Sequence, residues 1–96
     1  MVRARVRTAA PRPASAQDIA AAEALFNRGL ADMEAERYDT GCAAIAESQR
    51  LDPRAGTLFT LATCEARWGH VATAMTRFGD YLALVDRLTP EQRERQ

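Results

Sequence analysis

Ninety-six residues, 47% apolar and 27% charged, make one small domain with a modest core for its surface. Thirteen arginines balance thirteen acids, and no apolar run reaches the length needed to span a bilayer. Abundant alanine with few β-branched residues and sparse glycine favours helices.

Charge is uneven along the chain. Residues 1–17 carry Arg3, Arg5, Arg7 and Arg12 without an acid, leaving nine arginines against thirteen acids, a net −4, beyond them. Pro11 and Pro13 interrupt this leader and its arginines repel one another, so it is expected to be unstructured. Four spaced arginines without aromatics leave too thin a footprint for nucleic acid, and no such partner is expected. The leader can also be read as the remnant of a signal peptide. Ala14-Ser15-Ala16 before Gln17-Asp18 has the small-x-small form of a signal-peptidase site, yet the apolar centre of an export signal is missing. As written, the chain is expected in the cytoplasm. An exported or periplasmic location is the alternative if the true start lies upstream.

The first helix should begin near Ser15, where Asp18 three residues on completes a capping box at the positive end of the dipole. Leu25, Gly29, Leu30 and Met33 recur at helical spacing up to Ala35, and Glu34, Glu36 and Arg37 mark a solvated exit. Asp39 or Thr40 should cap a second helix that turns Cys42, Ile45, Ala46 and Leu51 inward and Glu47 and Arg50 outward. Leu51-Asp52-Pro53 stops it, because a proline disfavours the α region in the residue before it. A third helix is expected from about Ala55 to Trp68, with Leu58, Phe59, Leu61 and Ala62 along it and Gly69 as its cap. Trp68 should cover the end of this helical pair against Val71. A fourth helix, Val71 to Leu88, is expected to bury Val71, Ala74, Phe78, Tyr81, Leu82 and Val85. Thr89-Pro90-Glu91 opens a short, incomplete capping helix over residues 89–96.

Shifting the chain by 33 residues lays Leu25-Phe26 on Leu58-Phe59, Gly29 on Ala62, Asp32 on Glu65, Tyr38 on Val71, Thr40 on Thr73, Ile45 on Phe78 and Leu51 on Leu84. The unit is a helix-turn-helix used twice, about 18–53 and 54–88, within residues 15–88. Its pattern resembles the tetratricopeptide repeat, W-x2-L-G-x2-Y, then A-x3-F, then P. Leu25, Arg28, Gly29, Asp32, Gly41, Ile45 and Pro53 hold those places in the first unit; Leu58, Leu61, Ala62, Glu65, Ala74, Phe78 and Asp86 hold them in the second. Arg28 and the two acids depart from the pattern where paired helices meet. The wording Glu47-Ser48-Gln49-Arg50-Leu51-Asp52-Pro53, with Gly56-Thr57-Leu58 and Cys64-Glu65, is similar to exported repeat proteins of myxobacteria, whose signal peptides end in a site like Ala14-Ser15-Ala16. The resemblance implies an all-α fold of two tandem repeats in a short right-handed solenoid.

Stacked repeats expose a concave wall built from their first helices. The inner positions would be Glu23, Phe26, Asn27, Leu30 and Glu34, with Phe59, Thr60, Thr63 and Arg67. An apolar shelf edged with polar groups suits a peptide or a helix laid in a groove. The alternative is that both phenylalanines are ordinary packing residues. Family members that grip a C-terminal carboxylate use Lys and Asn at such positions; Phe26 and Leu30 stand here, so that activity is not carried over.

Cys42 and Cys64 lie eleven residues before and after Pro53, so antiparallel helices joined at that turn set them level. They are a candidate disulfide in an oxidising compartment, and reduced packing residues in the cytoplasm, which the leader favours. No catalytic, cofactor-binding or metal-ligating set emerges. His70 is a lone histidine expected in a solvated turn, Ser48 lacks a nucleophile elbow, no glycine-rich phosphate loop occurs, and Glu34 and Glu36 sit on a helix exit. The expectation is a non-catalytic module that binds an unidentified protein or peptide. The alternatives are a purely structural, self-associating homo-oligomeric bundle or a fragment of a longer exported repeat protein.

Overall fold

A computed structural model describes residues 13–95. Five helices, and no strand among the described residues, make up the structure: α1 (Ala16–Glu34), α2 (Tyr38–Leu51), α3 (Ala55–Arg67), α4 (Val71–Asp86) and α5 (Pro90–Arg95). Most of the expected leader, residues 1–12, lies outside the described residues. The main contacts run α1 with α2, α2 with α3, and α3 with α4. Consecutive helices are antiparallel: Ala22 meets Ser48, Gly29 meets Gly41, and Glu65 meets Arg77.

α1 starts as its sequence requires. The Asp18 amide donates to Ser15 Oγ at 3.0 Å and the Ser15 amide to Asp18 Oδ2 at 3.3 Å, closing the capping box. α2 starts differently from expectation. Its N-cap is Arg37, without a side-chain cap, and neither Asp39 nor Thr40 caps it. Thr40 Oγ1 instead donates to Asp32 Oδ2 at 2.9 Å, so the hydroxyl ties α2 back to α1. At the next junction Asp52 leaves the α region, as the following proline demands, and the chain re-enters a helix at Ala55 with Arg54 as N-cap.

The two helical hairpins share their backbone hydrogen bonds at the 33-residue shift. At the end of α1, Arg37 N donates to Asp32 O and Glu36 N to Met33 O; at the end of α3, His70 N donates to Glu65 O and Gly69 N to Ala66 O. Both are Schellman closures with a left-handed residue, Glu36 at φ 61° and Gly69 at φ 91°. The first bonds of α2 and α4 also match: Gly41 N to Arg37 O, and Ala74 N to His70 O, both 2.9 Å.

Close approach of the paired helices follows from small residues. A Cβ on Gly29 would stand 2.5 Å from Ile45 Cδ1 and 3.1 Å from the Gly41 carbonyl oxygen. At the matching crossing, Ala62 and Ala74 are both buried. The core lies between α1, α2 and α3: Met33, Cys42, Ile45, Leu61 and Cys64, with Phe26, Tyr38 and Ala46 packed against it. Cys42 and Cys64 are joined as a disulfide at its centre, with Cα atoms 5.6 Å apart, so the expectation of reduced thiols is corrected. That expectation rested on the leader, which carries no information about the geometry of α2 and α3.

α4 departs most from expectation. Of the residues assigned to its buried face only Ala74 is enclosed, while Val71 and Leu82 are exposed and Phe78, Tyr81 and Val85 are half-buried. Among the described residues its one extensive neighbour is α3, so a wide apolar sector is left without a second helix from them. α4 also ends at Asp86 instead of Leu88. Trp68 does not close the hairpin against Val71; its indole stacks on His70, ring centroids 4.0 Å apart, and both stay exposed. Thr89 opens α5 through a reciprocal pair with Gln92 (Thr89 N to Oε1, 2.8 Å; Gln92 N to Thr89 Oγ1, 3.2 Å).

Candidate functional site

One cleft of about 440 Å³ opens beside the N-terminal halves of α1 and α3. Ile19, Ala22, Glu23 and Phe26 form its α1 side, Gly56, Thr57 and Thr60 its α3 side, and Ser48, Asp52 and Arg54 the part contributed by the end of α2 and the turn. Its volume lies within the range of pockets that hold a small ligand or a few side chains.

Each wall is fixed by a local interaction. Ser48 is buried and donates from Oγ to the Ala22 carbonyl at 2.7 Å, which pins α2 to α1 beneath the cleft. Arg54 Nε meets Asp52 Oδ2 at 2.9 Å, and the Arg54 amide donates to Gln49 Oε1 at 3.0 Å, so the turn between α2 and α3 is closed by its own polar side chains. Thr60 Oγ1 is directed to the Gly56 carbonyl at 3.0 Å. With Arg54 balanced by Asp52, Glu23 leaves the cleft with one excess negative charge.

The expected groove is therefore only partly assembled. Glu23, Phe26 and Thr60 line the cleft. Asn27, Leu30, Glu34, Phe59, Thr63 and Arg67 do not, although Leu30 and Phe59 are solvent-exposed. Phe59 is drawn away by α4, with ring centroids 5.4 Å from Phe78 and 5.1 Å from Tyr81. Phe26 packs against the core instead, so residues equivalent in sequence have different neighbours. Thr63 Oγ1 donates to the Phe59 carbonyl at 3.0 Å within its own helix. The floor and turn residues Ser48, Asp52 and Arg54 belong to α2 and the junction, and the repeat pattern, which points to the first helix of each unit, gives no signal for them.

Two buried acids flank the helix crossings. Asp32 accepts from Thr40 Oγ1 at 2.9 Å and from Arg37 Nη2 at 2.8 Å; together they hold its carboxyl below the usual carboxylate range. Glu65 accepts both Arg77 nitrogens, Nε at 3.1 Å and Nη2 at 3.3 Å. The acids at these two places therefore tie the helices of each hairpin together. Among the described residues no group of three or more His, Cys, Asp and Glu side chains gathers as a metal site, and no helix is long and apolar enough to cross a membrane. No protein-family model, curated protein or solved structure matches the chain.

Proposed function

We propose that the protein is a non-catalytic interaction module of two tetratricopeptide-like repeats, which receives a short peptide segment in the cleft beside α1 and α3. The observation that carries this reading is the cleft itself, an apolar strip of Ile19, Ala22 and Phe26 bordered by Glu23, Asp52 and Arg54. The matched Schellman closures and the paired acids Asp32 and Glu65 support the repeat reading, because both recur at the 33-residue shift. An apolar side chain of the peptide lies along Phe26, and a basic neighbour meets the excess charge at Glu23. The test is a binding titration against an array of short peptides that pair an apolar residue with a basic or an acidic neighbour. Apolar–basic members should bind, Phe26→Ala should weaken them at least tenfold, Glu23→Gln severalfold, and Phe59→Ala less than twofold. Equal affinity for both peptide classes, or no loss with Phe26→Ala, rejects the proposal.

The working compartment is proposed to be oxidising, as for an exported protein, because the Cys42–Cys64 bridge persists there and would be reduced in the cytoplasm. Mass spectrometry of natively produced, unreduced protein should show a mass two hydrogens short of the dithiol. Two free thiols would return the protein to the cytoplasm.

A further inference from the structure

The outer face of α4 is unlike that of any other helix in the structure. Val71, Met75 and Leu82 are 59%, 68% and 62% exposed, and with half-buried Phe78 and Val85 they form a stripe at alternating spacings of four and three. At about 100° per residue, these side chains with Ala72, Gly79 and Ala83 fill a sector roughly 160° wide in which Asp86 is the one charge. A spacing of four and three is the seam of a helix that packs along a partner helix.

Gly79 sharpens the reading. Glycine inside a helix is unfavourable relative to alanine, and nothing among the described residues requires it here: a Cβ at Gly79 would meet none of their atoms within 4 Å. Gly29 and Gly41, by contrast, are each explained by a helix crossing against them. A bare helical glycine amid exposed Met75 and Leu82 suits a crossing with a second helix that the described residues do not supply.

We infer that this second helix is α4 of another copy, packed antiparallel about a twofold axis passing between Phe78 and Gly79. That axis pairs residues whose numbers sum to 157, and the face is then complementary to itself. Across that axis Met75 meets Leu82, while Gly79, on one side of the seam, faces Gly79 of the second copy, so the two bare backbones come closest there. Phe78, in edge contact with Phe59 of its own chain, borders the seam on the other side. The single charge also finds a place. Asp86 of one copy lies beside Val71 of the other, at the positive end of an α4 whose N-cap His70 supplies no side-chain cap. The apolar seam of Met75 and Leu82, the bare Gly79 and the Asp86 charge each find a complement in the same face, which favours a second copy over an unrelated helix. The surface is separate from the cleft and does not depend on its proposed role.

Sedimentation equilibrium of the full chain from about 5 to 500 µM tests this. The contact is one face of a single helix of 16 residues, so weak association in the micromolar range is expected, with the mass rising from 10.6 kDa to twice that value. Leu82→Glu and Met75→Glu, both at exposed positions, should abolish association while circular dichroism stays unchanged. Gly79→Ala provides the discriminating variant, since it should raise Tm through helix propensity and still weaken association at least tenfold. A mass of one chain throughout the range overturns the inference. So does association that survives Leu82→Glu, which would locate the contact elsewhere, or association undiminished by Gly79→Ala.

Discussion

Asp32 illustrates how a buried carboxylate is tolerated in a small core. It is 8% exposed, lies where α1 and α2 approach, and is held by the Thr40 hydroxyl and the Arg37 guanidinium. Those bonds favour the charged form, which is why its pKa falls below the ordinary 3.8. A depressed folded-state value means that the stabilisation is complete above the unfolded pKa and is lost as pH falls through the folded one. Asp32→Asn should therefore lower Tm near pH 7 and flatten the decline of Tm below about pH 4. Glu47, lowered by its bond to Arg50, contributes to the same acid limb, but that pair lies at the surface. Thermal scans in high salt separate the two, because salt screens the surface Glu47–Arg50 pair more than it weakens the bond of the Thr40 hydroxyl to Asp32. An acid limb identical in wild type and Asp32→Asn would show that Asp32 carries no linkage. The sequence displayed Asp32 and Glu65 as departures from a pattern. Their partners were hidden because Arg37 and Arg77 come from a helix cap and the facing helix, which only folding brings near.

At the level of elements, most of what was legible concerned where helices begin and end. Ser15 with Asp18, the Asp52-Pro53 stop and Gly69 act through local backbone chemistry, and local chemistry is written in adjacent residues. Burial was less legible. The apolar face of α4 is plain in the sequence, but periodicity shows only that a face is apolar, not that this chain supplies a neighbour for it. The disulfide falls between these cases: symmetry about Pro53 sets the cysteines level, while whether they bond depends on the compartment, which adjacent residues do not encode. The equivalence of the two hairpins also leads to a prediction. Their Schellman closures match, yet one places Glu36 at φ 61° where the other has Gly69 at φ 91°. A side chain in the left-handed region costs about 1 kcal/mol relative to glycine. Glu36→Gly should thus stabilise the domain by about that amount, raising Tm by roughly 4–8 °C, and Gly69→Ala should lower it by a similar amount. Urea titration of the two variants checks both signs; a loss of stability in Glu36→Gly would mean that the Glu36 side chain contributes more than its backbone strain costs.

For the whole molecule, the decisive fact is where the core stops. Met33, Cys42, Ile45, Leu61 and Cys64 unite α1, α2 and α3, whereas Ala74 is the one residue of α4 that is fully enclosed. A domain of this size has a total stability of roughly 5–15 kcal/mol, so a single cross-link at the centre of the core is a large fraction of it. The bridge joins positions 22 apart and spans the Asp52-Pro53-Arg54 turn, the place where the two hairpins could otherwise hinge. Closing a loop of that length contributes about 3 kcal/mol by the chain-entropy model. Cys42→Ala with Cys64→Ala should therefore lower Tm by roughly 10 °C or more, and a reductant should reproduce most of that loss in the wild type. Because the cleft is built from both hairpins and the turn, reduction should also speed hydrogen exchange at the amides of Thr57 and Leu58 before it does so in the middle of α1. If exchange instead rises uniformly, the bridge acts only on the unfolded chain. If it rises first beside the cleft, the bridge sets the angle between the hairpins, and peptide binding should weaken along with it.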